Sequence, residues 1–240
     1  MNKRELRKLL CSMLLGDGSL VNEKVNRPCG NQIYFSVSHS MKQEDYLLYK
    51  VDLINQIFIK KGSEKRIKLG SPYNIRLKND DRYKDRIYSA RKATLRWMDW
   101  FKHLYPRIYK YKNGLFIKDV EYLLGQIDSD KHLFLWFADD ASEVRSKGKH
   151  RTGETYFRNP HLHLYTNGYT EGQNQILKQW FERRYKVFPT IVNSGWQNGR
   201  KSFLRFSSKE AAKLFPKIAV YVKQIPSISH KFRLCLERYA

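Results

Sequence analysis

Two acids in this chain stand where an acid is electrostatically misplaced. Asp17 closes the run Leu10-Cys11-Ser12-Met13-Leu14-Leu15-Gly16-Asp17-Gly18-Ser19, and Leu6, Leu9, Leu10, Met13 and Leu14 recur at helical spacing. Gly16 and Gly18 stop that helix, so Asp17 falls at its C-terminal end, where the helix dipole is already negative. A carboxylate is tolerated there when a cation offsets it; the plain alternative is an amphipathic helix ending in an Asp-Gly turn. A second stretch has the same shape. Leu133-Phe134-Leu135-Trp136-Phe137-Ala138-Asp139-Asp140-Ala141-Ser142 is an apolar run ending on acids, and aligning Asp17 with Asp140 aligns Ser19 with Ser142. Carboxylates that hold a divalent cation beside a phosphate serve phosphodiester hydrolysis, which needs an activated water, a stabilised phosphorane and a tolerated leaving group.

The elements around these acids read as a duplication. Residues 4–16 are the first motif helix; 20–26 and 31–39 are strands joined by a turn at 27–30, with Ile33, Phe35 and Val37 on one face. A helix over 42–59 buries Tyr46, Leu47, Val51, Ile54 and Phe58. Short strands follow at 65–69 and 73–78, extended by 86–90, then an aromatic-rich helix over 91–104 closed by Pro106. Residues 105–118 form a basic connector. The pattern restarts with a short helix and the second motif helix over 119–138, broken near Asp128-Ser129-Asp130. A hairpin over 143–147 and 155–166 has its tip at 147–153; a helix over 170–185, strands at 187–193 and 202–206, a helix over 208–222 and a short terminal segment complete the copy. Ser89 lies 72 residues after Asp17 and Ser207 lies 67 after Asp140, each placed before a helix. Each half thus reads helix, two strands, helix, two strands, helix, with halves at 1–118 and 119–240 and an α+β class.

The charge selects the partner. Lys and Arg number 46 against 23 Asp and Glu, a formal net charge of +23 spread along the chain, which points to a polyanion and to nucleic acid rather than a membrane surface. No apolar run is long enough to span a bilayer and none opens the chain as a signal peptide. Cys11, Cys29 and Cys235 are odd in number and far apart, neither a zinc site nor a disulfide framework, so a reducing intracellular setting is expected: a bacterial or phage-host cytoplasm, or an organelle matrix.

The paired motifs resemble those of the LAGLIDADG homing endonucleases, in the monomeric two-motif branch. The first keeps Gly16-Asp17-Gly18 but has Leu15 where many members carry another acid; the second reads Trp-Phe-Ala-Asp-Asp-Ala-Ser. The half-chain pattern also matches the αββαββα half of that family, so the resemblance covers nearly the whole chain. It implies two pseudo-symmetric halves whose curved antiparallel sheets form a DNA-binding saddle. It implies a site-specific endonuclease that cuts a long asymmetric target across the minor groove and leaves short 3′ overhangs. The alternative on the same scaffold is an RNA-binding maturase that acts on intron RNA without cleavage. Mg²⁺ is the implied cofactor, with Ca²⁺ supporting binding but not efficient cutting.

By the same resemblance, Asp17 and Asp140 hold the metal together with the backbone carbonyls of Gly16 and Asp139, and Asp139 is the alternative carboxylate. Pairing the two motif helices would set these groups side by side; Ser12 and Gly16 suit a close approach, and Leu135 and Asp139 make the seam asymmetric. One basic residue per half is expected beside the phosphates: Lys112, with Lys110 competing, and Lys231. Base readout by an antiparallel ribbon uses Arg, Asn and Gln on outward strand positions. In the first half the outward set is Asn22, Lys24, Asn26, Gln32, Tyr34, Ser36, Arg66, Lys68, Asn74, Arg76 and Lys78. In the second it is Arg145, Lys147, His161, His163, Lys201 and Arg205; His161 and His163 form an HxH pair with no clear third ligand for zinc. The plain alternative for these positions is a solvated polar sheet face.

Overall fold

The computed structural model describes residues 2–22, 32–59, 64, 66–76, 87–96, 98–112, 115–194 and 201–240. The chain forms two compact units, Met1–Asp119 and Val120–Ala240. No helix among the described residues is long and apolar enough to cross a membrane.

The first unit runs α1 (Lys3–Leu15), β1 (Ser19–Asn22), β2 (Ile33–Ser40), a 3₁₀ turn (Met41–Gln43), α2 (Glu44–Ile59), β3 (Ile67–Leu69), β4 (Tyr73–Arg76), β5 (Ile87–Leu95) and α3 (Phe101–Ile108). It ends in a hairpin of β6 (Tyr109–Lys112) and β7 (Leu115–Lys118). The sheet is antiparallel in the order β1-β2-β5-β3, with β4 paired farther along β5. Its register lines Leu20, Phe35 and Leu95, and next to them Val37 and Ala93, along one buried face. Residues 91–95, expected to open a helix, instead finish the central strand β5, and α3 begins at Phe101 with Pro106 inside it. The helix-favouring run Ala90-Arg91-Lys92-Ala93 is overridden because β5 bonds strands on both sides and buries Ala93 and Leu95 against the core. Ser89, placed before a helix by its spacing, therefore lies mid-strand, opposite Asn74.

The second unit runs α4 (Val120–Leu124), α5 (Asp130–Asp140), β8 (Ala141–Val144), β9 (Lys147–Lys149), β10 (Thr155–Phe157), β11 (His161–Leu164), α6 (Glu171–Tyr185), β12 (Thr190–Ser194) and β13 (Lys201–Phe206). Three helices complete it: α7 (Ser208–Val222), α8 (Pro226–Lys231) and α9 (Arg233–Tyr239). Its sheet order, β8-β11-β13-β12, follows the same path as β1-β2-β5-β3. The expected hairpin tip is itself ordered: β9 and β10 pair as a separate two-stranded ribbon. The helix starts follow capping chemistry. Ser129, Thr170 and Ser207 each accept a backbone N–H three residues on, and Thr170 with Gln173 forms a full capping box.

Both motif helices are buried on every face over about two turns, from Leu9 to Leu15 and from His132 to Ala138. Such helices belong to a core rather than a surface. In the second unit Trp136 stacks on Phe181 at 5.8 Å between ring centroids, and Phe137 packs on both Phe181 and Phe206. Truncating Trp136 there would cost about 3–5 kcal/mol. The core fixes where each helix ends, and with it the acids. Cys11 and Cys235 are buried free thiols whose pKa values are pushed up by burial.

Candidate active site

In the first unit the end of α1 is folded back on itself. Met13 O accepts from Gly16 N at 3.1 Å and from Gly18 N at 2.8 Å, so the chain turns sharply and leaves Asp17 at its crest. Gly18 is needed for this close approach: a Cβ there would lie 2.7 Å from Met13 O. The Asp17 side chain is 47% exposed.

A hairpin closes on this turn. Leu20 N–H donates to Tyr109 Oη at 3.2 Å, and Tyr109 pairs with Lys118 at the hairpin base. Burial pushes the Tyr109 hydroxyl up to about 12, so it stays protonated. Lys118 Nζ then donates to Leu14 O at 2.6 Å and lies 3.4 Å from Gly16 O. An ammonium on the last carbonyls of a helix satisfies orphan acceptors and offsets the dipole. Lys112, chosen by spacing, ends β6 opposite Leu115, three residue pairs from the hairpin base. Lys118, which the spacing did not single out, therefore stands beside the first motif. Lys110 bonds Pro106 O at 3.1 Å instead.

The second unit reaches the same arrangement by another route. Helix α5 continues through Asp139 and Asp140, and Ala141 N–H caps it on Phe137 O, with no glycine turn. Asp140 O accepts from Tyr165 N at 2.9 Å, tying the helix end to the strand after it. Lys231, the last residue of α8, donates to Ala138 O at 2.9 Å and Asp139 O at 3.1 Å. In each unit, therefore, a half-buried lysine from far along the chain clamps the end of the motif helix, beside an acid. The carbonyls of Gly16 and Asp139, expected on a metal, anchor these lysines; the second lone pair of a carbonyl leaves room for another partner. Asp17, Asp139 and Asp140 supply hard oxygen donors, which suit Mg²⁺, Mn²⁺ or Ca²⁺ rather than a soft metal.

One side chain absent from the sequence reading adjoins Asp17, and a second lies behind it. His39 Nδ1 lies 3.7 Å from Asp17 Oδ2, and His39 Nε2 lies 2.9 Å from Lys50 Nζ. His39 is 5% exposed and Lys50 is wholly buried. The signal was present in both cases. His39 continues the inward row of Ile33, Phe35 and Val37, and Lys50 stands on the buried stripe of α2 between Tyr46 and Ile54.

The register sorts the strand candidates. Tyr34, Ser36 and Lys68 share the sheet face opposite the core with Lys92 and Thr94, and Lys92 Nζ lies 5.6 Å from the Tyr34 ring. Ser36 is buried there, being a short side chain in a central strand between Ser19 and Thr94. Asn22 pairs with Ile33, so it alternates onto the core face while Val21 takes the outer one. Asn74 and Arg76 pair with Ser89 and Ile87, which also alternate away from the Lys92 face. Gln32 and Arg66 are exposed beside strand starts. Lys24, Asn26 and Lys78 lie outside the described residues.

In the second unit Ser142, His163 and Arg205 stand abreast on the outer face. His161 shares that face but is buried, and its ring centroid lies 4.9 Å from that of His163. Burial, then His161 and Arg205, push His163 down to about 4, and burial lowers His161 as well. Both are neutral at pH 7, and they form no cluster with a third His, Cys, Asp or Glu among the described residues. Arg145 and Lys147 are exposed and flank the Phe157 ring at 4.4 and 5.7 Å. Lys201 opens β13 opposite Ser194.

A profile of the LAGLIDADG DNA endonuclease family matches residues 7–214. Among solved structures, the homing endonuclease I-WcaI bound to its DNA recognition sequence is similar, with a TM-score of 0.65 and 16% identity over 95% of this chain and 86% of that one. Mesophilic variants of the homing endonuclease I-DmoI are similar with a TM-score of 0.51 and 8% identity, over 91% of this chain and 98% of that one. At these identities the likeness is one of fold. No curated protein matches the sequence.

Proposed function

This chain belongs to the LAGLIDADG DNA endonuclease family, and from that premise we propose that it is a site-specific, divalent-metal-dependent endonuclease that cuts both strands of a long asymmetric DNA site. The observation that carries the reading is the helix end found in each unit: an acid beside a lysine clamped on the last carbonyls. Asp17 and Asp140 are the acids that would hold the metal, with Asp139 the alternative in the second unit. A divalent cation held there supplies charge for the phosphorane and acidifies the attacking water. Mg²⁺ is the physiological choice for such an oxygen set.

The chain's own residues then have distinct tasks. Lys118 and Lys231 place fixed positive charge where negative charge builds on the phosphate, with no reorganisation at the moment of reaction. The turn at Gly18 fixes the backbone of Asp17 at the end of the helix. Lys68, Lys92 and Tyr34 on one sheet face, and Arg205, Arg145 and Lys147 in the other unit, bind phosphates and base edges. The neutral His161 and His163 contribute hydrogen bonds and ring contacts rather than charge. Because one chain carries both acids, it acts as a monomer. Cleavage across the minor groove would leave short 3′ overhangs.

The test uses the gene's flanking sequences joined without the gene. Incubated with this duplex in Mg²⁺, the protein is expected to make one cut in each strand, and a chelator is expected to stop it. Tight binding to the intervening RNA with no cutting of the duplex would overturn the nuclease reading in favour of a maturase.

A further inference from the structure

Glu143 stands on the core side of its sheet, where an apolar residue is expected. It pairs with Leu162, which pairs in turn with Phe206, and both of those are fully buried. The equivalent place in the first unit, three residues past the motif acid, is held by the buried Leu20. An acid on such a row needs hydrogen-bond partners. Glu143 finds them far along the chain: Oε1 accepts from Leu234 N at 3.1 Å and Oε2 from Cys235 N at 2.8 Å. These are the second and third residues of α9, and Phe232, the N-cap residue, offers that helix no side-chain cap of its own. The carboxylate therefore satisfies two of the orphan donors at the helix start, where an acid is favoured.

That helix start follows directly on Lys231. Lys231 ends α8, and Phe232 alone separates α8 from α9. Phe232 is buried, with its ring 5.8 Å from that of Phe215 between centroids. The far end of α9 is tied as well, Tyr239 Oη donating to Pro160 O at 2.7 Å. Lys231 Nζ meanwhile donates to Ala138 O at 2.9 Å and Asp139 O at 3.1 Å. Glu143 thus ties β8, the strand that leaves the motif helix, to the turn that brings the lysine back to it. The first unit closes the same circuit with other atoms. Leu20 N–H donates to Tyr109 Oη at 3.2 Å, Tyr109 is paired with Lys118, and Lys118 Nζ donates to Leu14 O at 2.6 Å. In both units the residue three past the acid is the tie to the segment that bears the lysine.

We propose that Glu143 is a positioning residue for Lys231: by holding the start of α9, it sets where the Lys231 ammonium lies over the last carbonyls of α5. A lysine stem is long and flexible, so the place of its ammonium depends on where its backbone is fixed. Both Glu143 oxygens face backbone N–H groups of α9, so the acid acts through Lys231. The inference rests on the reading of Lys231 as a fixed charge beside the cleavage site.

The test has a spectroscopic arm that needs neither metal nor DNA. In ¹⁵N-lysine-labelled protein, the ammonium signals of Lys231 and Lys118 are identified by their loss in Lys231→Met and Lys118→Met. Both are expected to exchange with water more slowly than those of exposed lysines, because each ammonium donates to helix-end carbonyls. Glu143→Gln keeps the shape but sets an amide N–H against a backbone N–H. It is expected to bring the Lys231 signal to the exchange rate of exposed lysines and to leave the Lys118 signal as it was; an unchanged Lys231 signal overturns the proposal. In single-turnover cleavage Glu143→Gln is expected to cost about 10- to 100-fold, the range seen for groups that orient others at a site. DNA affinity in Ca²⁺ is expected to stay within about twofold, since the binding faces are untouched. In a Lys231→Met background the same change is expected to cost less than about threefold in rate, while the melting temperature falls equally in both backgrounds. Equal losses of rate in both backgrounds overturn the proposal and leave Glu143 a helix cap only. Where Lys231→Met is too slow to measure, the exchange rates decide. If Glu143→Gln does not fold, Glu143→Leu, which installs the residue type found at Leu20, replaces it in every arm; if neither folds, Glu143 holds the unit itself and the proposal is overturned. If the wild-type protein cuts no DNA, the endonuclease reading fails while the ammonium result still decides the positioning.

Discussion

Replacing Lys118 with Met keeps the aliphatic stem and removes the ammonium. That ammonium donates at 2.6 Å to Leu14 O and sits 3.4 Å from Gly16 O, on the turn that carries Asp17. A hydrogen bond from a charged donor contributes about 1.5–3 kcal/mol, and water recovers part of it at a half-buried site, so a loss of about 1–2 kcal/mol is expected. For a chain of this size that lowers the melting temperature by roughly 2–8 °C. The catalytic cost is larger. Removing one preorganised donor from a site where negative charge develops costs about 10²–10³ in rate. The assay is single-turnover cleavage of a mapped target at saturating protein, beside a thermal melt of each variant. Lys112→Met serves as the comparison and is expected to leave the melt unchanged, with cleavage within about threefold, as for a phosphate-contacting or solvated lysine. A Lys118→Met protein that cuts at the wild-type rate, with Lys112→Met inactive, would refute the assignment and restore the one made from spacing.

Further expectations concern binding and stability. If six to ten phosphates are contacted, DNA affinity should fall by about three to five decades between 50 and 200 mM salt; a nearly flat titration would contradict the basic-face reading. His163 has a folded-state pKa of about 4, below the ordinary 6.5, so the unfolded chain binds more protons between those values. Its contribution to stability is therefore complete above pH 6.5 and is lost as pH falls toward 4. Melting temperatures of wild type and His163→Asn should converge in slope above that window and diverge within it. Gly18→Ala forces a Cβ to within 2.7 Å of Met13 O, and a destabilisation of about 1–3 kcal/mol is expected by denaturant titration.

Much of the architecture was legible because the apolar periodicity is strong: α2, α6 and α7 fall within one or two residues of their expected bounds. The helix misread over 91–104 shows the limit. Ala, Arg, Lys and Leu favour a helix locally, and only pairing with β2, β3 and β4 makes 87–95 a strand. The acids were visible because two copies could be compared. Counting from Asp140 reaches Lys231, which lies on the carbonyls of Ala138 and Asp139, whereas the same count in the first half reaches Lys112 and not Lys118, which lies on Leu14 O. There the clamp comes from a strand rather than a helix end, after a hairpin that lengthens the path. His39 and Lys50 were overlooked as members of otherwise apolar rows. A polar residue on a core-facing row is the signal, and its meaning needs a partner that only the fold supplies. Asn22 shows why register matters: one step along β1 exchanges it with Val21 between faces.

The central claim is that Asp17 and Asp140 hold the ion for cleavage, and Asp17→Asn and Asp140→Asn test it most directly. Each removes a charge with almost no change in shape, so folding should persist. The measurement is strand cleavage of the mapped duplex in Mg²⁺ beside binding to the same duplex in Ca²⁺. Ca²⁺ is expected to support binding in all three proteins and efficient cutting in none, because its looser coordination organises the attacking water poorly. In Mg²⁺, binding should survive in both variants while cleavage falls by orders of magnitude in each. Cutting at near the wild-type rate by both variants would contradict the account, and loss in Asp17→Asn alone would move the second ligand to Asp139.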